Sequence, residues 1–221
     1  MRLVTVAHGT RSAAGNRVAA DLATAAGELL ALPATTAYVE LCDPSLTDVL
    51  AASPEPAVVV PLLLSTGHHV RHDLPAALAA ARGPVVLGPP LGPHRLLAEA
   101  QAVRLRAAGA EPGQPVVLAA AGSREPLATR DLTRAAAHLA ALWGGRVTVA
   151  TLGGAGVRPG DVVTPDCAVS PYLLAEGHFA DRLRDSCRAA AVVADVLGPH
   201  PAVARLVAER AGALLTGRRS A

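Results

Sequence analysis

The sequence predicts an α/β fold of two similar halves, each a four-stranded parallel sheet flanked by helices. Three observations predict it. Short β-branched runs alternate with Ala/Leu-rich stretches of helical period. The short runs are apolar throughout, as in parallel strands covered by helices on both faces. The whole series then starts again in the second half of the chain.

"RLVTVA" (2–7) reads as a buried strand and "SAAGNRVAADLATAAGELLAL" (12–32) as a helix. "TTAYVEL" (35–41) is the second strand. "DPSLTDVLAA" (43–52) starts a helix with Asp43 as N-cap and Pro44 in its first position. "AVVVPLLL" (57–64) is a strand, "DLPAALAAA" (73–81) a helix begun in the same way, "PVVLG" (84–88) a strand, and a helix runs from about Pro93 to Ala108. A turn-rich joint, "AAGAEPGQP" (107–115), separates the halves, giving predicted domains of 1–110 and 111–221. The second half reads as a strand (116–122), a helix (125–143), a strand (146–152), an irregular Gly/Pro stretch (153–165) and a short strand near 167–170. A helix after Gly177, a strand (190–197) and a final helix complete it.

The halves agree in letters as well as pattern. "AHGTR" (7–11) answers "AAGSR" (120–124), "PLLLSTGHH" (61–69) answers "PYLLAEGHF" (171–179), and "LGPHRLL" (91–97) answers "LGPHPAV" (197–203). Three segments in one order at nearly constant offset indicate an internal duplication. It is imperfect: His8 faces Ala121 and His69 faces Phe179, while His68 and His94 recur as His178 and His200. Shared residues read as structural, and those confined to the first half as chemical. The second half is thus a degenerate repeat without the catalytic histidines.

Composition narrows the function. The 221 residues are 51% hydrophobic but only 2% aromatic, and the formal net charge is +2. Every basic residue is Arg, and the arginines are scattered. Little is available to stack on bases, so no nucleic-acid partner is expected. Cys42, Cys167 and Cys187 form neither a disulfide framework nor a zinc motif and read as buried thiols of a reducing cytoplasm. No apolar run approaches the roughly 18 residues of a membrane span or a signal peptide's pattern. A soluble, cytoplasmic protein without a membrane partner is expected.

The chemistry concentrates in "LLLSTGHHVRHDLP" (62–75) and "AHGTR". His8 follows the first strand, Glu40 lies near the end of the second, and His69 sits in the loop after the third. In an open parallel sheet the strand carboxyl ends share one rim, where ligands bind. Singly, His8 is an ordinary loop histidine and Glu40 a capping or pairing carboxylate. Together they make a nitrogen and carboxylate set suited to Fe²⁺, Co²⁺, Ni²⁺ or Zn²⁺. His68, which recurs, reads as loop-shaping, His72 as solvated or substrate-facing, and His94 and His200 as helix-start residues.

These residues resemble the sirohydrochlorin chelatases, the CbiX/SirB group of class II tetrapyrrole chelatases. "AHGTRSAAGN" is similar to the family's N-terminal His-Gly-Ser…Asn motif, with Thr10 in place of Ser and Asn16 in register. "VVVPLLLSTGHHVRHDLP" (58–75) resembles the apolar strand, Gly-x-His-Val and Asp-Ile-Pro, which assigns the family histidine to His69. "ELCDPSL" (40–46) resembles the segment with the acidic residue, here Glu40, and "LGPHPAVARLVAER" (197–210) the segment closing each half. "GGAGVRPGDVVTPDC" (153–167) departs from the pattern.

The resemblance implies the long, two-repeat form, expected to be a monomer, and insertion of a divalent metal, Fe²⁺ favoured, into sirohydrochlorin. His8 and His69 would be catalytic and, with Glu40, would hold the metal. The histidines suit proton transfer at neutral pH. Arg11 and Arg71, with His72, Ser65 and Thr10, would bind the acidic macrocycle. The metal is a substrate, with no permanently bound cofactor. Two other readings stand: a cobaltochelatase of cobalamin biosynthesis, and a non-catalytic metal or tetrapyrrole carrier. A histidine phosphatase or serine hydrolase is disfavoured, because Arg-His-Gly and Gly-x-Ser-x-Gly are absent.

Overall fold

The apolar runs become the central strands of two parallel sheets in a computed structural model that describes residues 1–217. The first sheet has the order β2-β1-β3-β4, from β1 (Arg2–Ala7), β2 (Ala34–Tyr38), β3 (Ala57–Pro61) and β4 (Val85–Leu87). The second repeats it as β6-β5-β7-β8, from β5 (Val116–Ala120), β6 (Val147–Thr151), β7 (Ala168–Tyr172) and β8 (Val192–Val193). All pairings are parallel. β1, β3, β5 and β7 are buried at every position, which is why their sequences show no alternation.

The connecting helices are α1 (Ala13–Leu30), α2 (Leu46–Ala51), α3 (Leu74–Ala77), α4 (Arg95–Ala107), α5 (Pro126–Trp143), α6 (Pro159–Val162), α7 (His178–Ser186) and α8 (Pro201–Gly217). Ser12 caps α1 by accepting the Gly15 N–H, and His94 caps α4 by accepting the Leu96 N–H through Nδ1. His200 does the same for Ala202 at the start of α8, so "LGPH" is a capped helix start in both halves.

Five readings from the sequence need correction. The cap of α2 is Ser45, whose Oγ accepts the Asp48 N–H, and not Asp43. Asp73 does not cap α3, because the chain is already helical from His69, as a π-helical turn over His69–Asp73. The irregular stretch contains the short helix α6, and the predicted strand over 190–197 shrinks to two residues. Cys42 is half-buried, whereas Cys167 and Cys187 are buried.

The two compact units also differ from the predicted domains 1–110 and 111–221. One unit comprises Met1–Leu91 with the closing segment from Pro199, and the other Gly92–Gly198. Helix α4 belongs to the second unit, where it packs on α5 and β7, and Gln101 donates from Nε2 to the Ser170 Oγ at 2.9 Å. Helix α8 belongs to the first, where it packs on α1 and β3 and Arg210 donates to the Leu91 carbonyl at 3.3 Å. Both helices follow the same "LGPH" start, so the sequence pattern reads identically under either assignment.

Each unit has its own core. In the first, Val4, Val6, Leu46, Leu50, Val59 and Leu74 pack together. In the second, Val117, Leu152, Val169, Leu183 and Cys187 do so. Each fully buried Leu or Val contributes about 1.5–3 kcal/mol of transfer free energy, which holds the rims rigid enough to present side chains.

Candidate metal site

The site lies within the first unit, at the carboxyl ends of β1, β2 and β3. Pairing of β1 with β2 runs past both assigned ends: Val39 N–H donates to the Ala7 carbonyl at 2.9 Å, and Glu40 N–H to the His8 carbonyl at 3.0 Å. That last rung sets Glu40 beside His8. Gly9 then takes φ +96°, and a Cβ there would lie 1.9 Å from the Glu40 carbonyl oxygen. The Gly of His-Gly is therefore a steric requirement for bringing the carboxylate-bearing segment close. Asn16, one turn into α1, braces the loop: its Oδ1 accepts the Thr10 N–H at 3.1 Å, and its Nδ2 donates to the Thr10 carbonyl at 2.7 Å.

The third side chain arrives from β3. Leu62 N–H donates to the Val6 carbonyl at 2.8 Å, and the chain then loops to the π-helical turn. Such turns recur at functional sites because they shift a side chain off the regular helical register. His69 and Asp73 are i and i+4 here, with Nδ1 and Oδ2 2.6 Å apart. The carboxylate only accepts, so Nδ1–H donates and Nε2 is left as the ligand atom.

His8 is set up by a comparable device. Its Nδ1 is 3.1 Å from the Gly9 carbonyl and its Nε2 3.1 Å from Oε1 of Glu40, and both partners only accept. A neutral imidazole has one N–H to offer them, so both contacts are satisfied together only when a second proton or a metal ion joins the pair. The His8 and His69 rings meet edge to face with centroids 4.7 Å apart, and one ligand atom from each of His8, Glu40 and His69 lies within 4.8 Å of the others. An ion binding at the usual 2.0–2.2 Å would draw this set in by roughly an ångström. The His8, Glu40 and His69 side chains are 38%, 49% and 29% exposed, which suits an ion that must leave again. A groove of about 410 Å³, lined by Glu40 and Asp73 among others, opens beside the set.

The structure thus brings His8, Glu40 and His69 together. Arg11, Arg71 and His72 are exposed, and Ser65 is half-buried, all within four residues of a candidate ligand histidine on its own loop. Thr10 braces the loop, its Oγ1 accepting the Ser12 N–H at 3.2 Å. Asp73 was missed as a site residue, having been read as a helix cap; its i+4 spacing from His69 was the available signal.

The second unit keeps this scaffold and lacks these side chains. Gly153 N–H donates to the Ala121 carbonyl at 2.9 Å, and Gly122 at φ +89° would place a Cβ 2.1 Å from the Gly153 carbonyl. Ala121, Gly153 and Phe179 stand where the first unit has His8, Glu40 and His69.

The CbiX family profile matches residues 2–108. A comparison with curated proteins gives no match. Among solved structures, SirB from Bacillus subtilis with Fe³⁺ superposes with a TM-score of 0.83 at 22% identity, covering 100% of this chain and 98% of that one. The sirohydrochlorin chelatase SirB of Bacillus subtilis subspecies spizizenii, in complex with cobalt, gives 0.79 at 24% identity over 100% and 98%. CbiX, described as the terminal enzyme of siroheme biosynthesis in denitrifying bacteria, gives 0.75 at 23% over 96% and 99%. These likenesses show the two-sheet fold.

Proposed function

We propose, from the premise that the chain belongs to the CbiX family through its residues 2–108, that it inserts a divalent metal ion into sirohydrochlorin, with Fe²⁺ as metal and siroheme as product. The observation that carries the reading is the clustering of His8 Nε2, 3.1 Å from the Glu40 carboxylate, with His69, itself oriented by Asp73. Such a seat holds a metal or a proton and exchanges one for the other.

Metal insertion needs that exchange. The ion leaves protein ligands for the macrocycle's nitrogens, and two pyrrole protons leave the macrocycle. The His8 and His69 Nε2 atoms lose the metal as those protons appear, so the freed lone pairs accept them. Glu40 stabilises the imidazolium formed at His8, and Asp73 that at His69. Arg11 and Arg71 offer planar guanidinium groups to the macrocycle's carboxylates, helped by His72, Ser65 and Thr10. The nitrogen and oxygen donors suit Co²⁺ as well, so cobalt insertion is the second reading, supported by the cobalt complex of SirB. We place the protein in the cytoplasm as a monomer; among the described residues no helix is long and apolar enough to cross a membrane.

The test is an anaerobic absorbance assay of sirohydrochlorin with Fe²⁺, then Co²⁺. Product well above the protein concentration, lost in folded His8→Ala and His69→Ala variants, supports the reading. Stoichiometric binding with no acceleration over the spontaneous reaction would make the protein a carrier.

A further inference from the structure

His68 and His72 flank the metal-site histidine and have no part in the chemistry above beyond the contact suggested for His72. Both are exposed. Their rings lie with centroids 4.6 Å apart, and a ring nitrogen of each lies within 4.8 Å of the other. The His68 ring is 6.2 Å from that of His69. The first expectation for His68, a loop-shaping role shared with His178, does not explain an exposed ring set against another imidazole. At i and i+4 on helical backbone, two imidazoles share one face, the spacing by which helices chelate divalent ions. The arrangement belongs to the first unit alone: at the offset that aligns His68 with His178, His72 aligns with Arg182.

We propose that His68 and His72 form a second site for a divalent metal ion, distinct from the His8, Glu40 and His69 set. Two neutral imidazoles supply two ligands, and water fills the remaining positions. Such a site holds Co²⁺, Ni²⁺, Zn²⁺ or Fe²⁺ weakly and exchanges it quickly. Its place beside His69 makes it a staging post that supplies ions to the first site. This role, though not the site itself, rests on the metal-insertion reading.

The experiment is equilibrium dialysis of the full chain against Co²⁺ without tetrapyrrole, followed by the insertion assay at limiting Co²⁺. Wild type is expected to bind about two ions per chain, His68→Gln/His72→Gln about one, and His8→Ala/Glu40→Gln about one. Both changed pairs are on the surface, and circular dichroism checks that the fold is kept. One ion on wild type, an unchanged count in His68→Gln/His72→Gln, or none on His8→Ala/Glu40→Gln would overturn the site. In the insertion assay, His68→Gln/His72→Gln is expected to raise the half-saturating Co²⁺ concentration at least about threefold. An unchanged half-saturating concentration, despite a lost ion, would overturn the staging role. If wild type does not turn over and the ion counts are as expected, the insertion reading fails while the site stands.

Discussion

His8 Nε2 and Glu40 Oε1 stand 3.1 Å apart, brought together by the main-chain hydrogen bond from Glu40 N–H to the His8 carbonyl. Glu40→Gln replaces one acceptor with an amide that can donate to Nε2. The pair is then satisfied without a cation. Affinity for Co²⁺ is expected to fall at least about tenfold with little loss of stability. A Co²⁺ titration followed by absorbance, beside a thermal melt, checks both.

Asp73 reaches the proposed metal site through its contact with His69 Nδ1. Asp73→Asn keeps the size but removes the charge that orients the ring and fixes its tautomer. Metal affinity or insertion rate should drop about 10–100-fold, while the fold is unaffected because Asp73 is near the surface. An unchanged affinity would mean that the 2.6 Å contact serves the turn and not the ligand.

Gly9→Ala meets two obstacles, a φ of +96° and a carbonyl oxygen 1.9 Å from the new Cβ. Main chain cannot step aside as a flexible side chain does. The expected cost is about 3 kcal/mol or more, read from circular dichroism in urea, together with loss of metal binding.

Asn16→Ala removes both bonds that pin Thr10, and about 1–3 kcal/mol is expected to go with them. Asn16→Asp keeps the acceptor for the Thr10 N–H but turns a carboxylate oxygen towards the Thr10 carbonyl. It should fall no nearer to wild type than the alanine variant. Urea titration of the two variants side by side decides.

The second unit should weaken in alkali. Burial, reinforced by Cys167, pushes the Cys187 thiol from 9.0 up to about 11. Burial and the Asp131 carboxylate raise the Tyr172 phenol above its ordinary 10.0. The folded state therefore keeps protons that the unfolded chain gives up. Stability is full below pH about 9 and declines as pH rises through about 11. Trp143, the chain's one tryptophan, is buried in this unit and reports its unfolding. Cys187→Ala should flatten the decline between those values.

Much of this was legible in the chain itself. Strands buried on both faces must be apolar throughout, so β1, β3, β5 and β7 announced a parallel sheet. Repeats diverge where chemistry is confined to one copy, so the comparison of His8 with Ala121 and His69 with Phe179 isolated the candidate ligands. Strand ends of one parallel sheet share a rim, so His8, Glu40 and His69 were expected to meet. The roles of Asp73 and Gly9 were not legible. A helix-cap reading of Asp73 is locally consistent, and only the π-helical turn directs its carboxylate to His69. The need for glycine at position 9 arises from the carbonyl of Glu40, 31 residues away in sequence.

The sequence by itself determined the layers, the duplication and the residue types at the rim, because burial and periodicity are local properties of the chain. Tertiary structure alone decided which sheet each closing helix covers and which ring nitrogen each histidine turns to its carboxylate. Those depend on contacts between segments that carry the same local pattern, such as the two "LGPH" helices, and on distances that no spacing along the chain encodes.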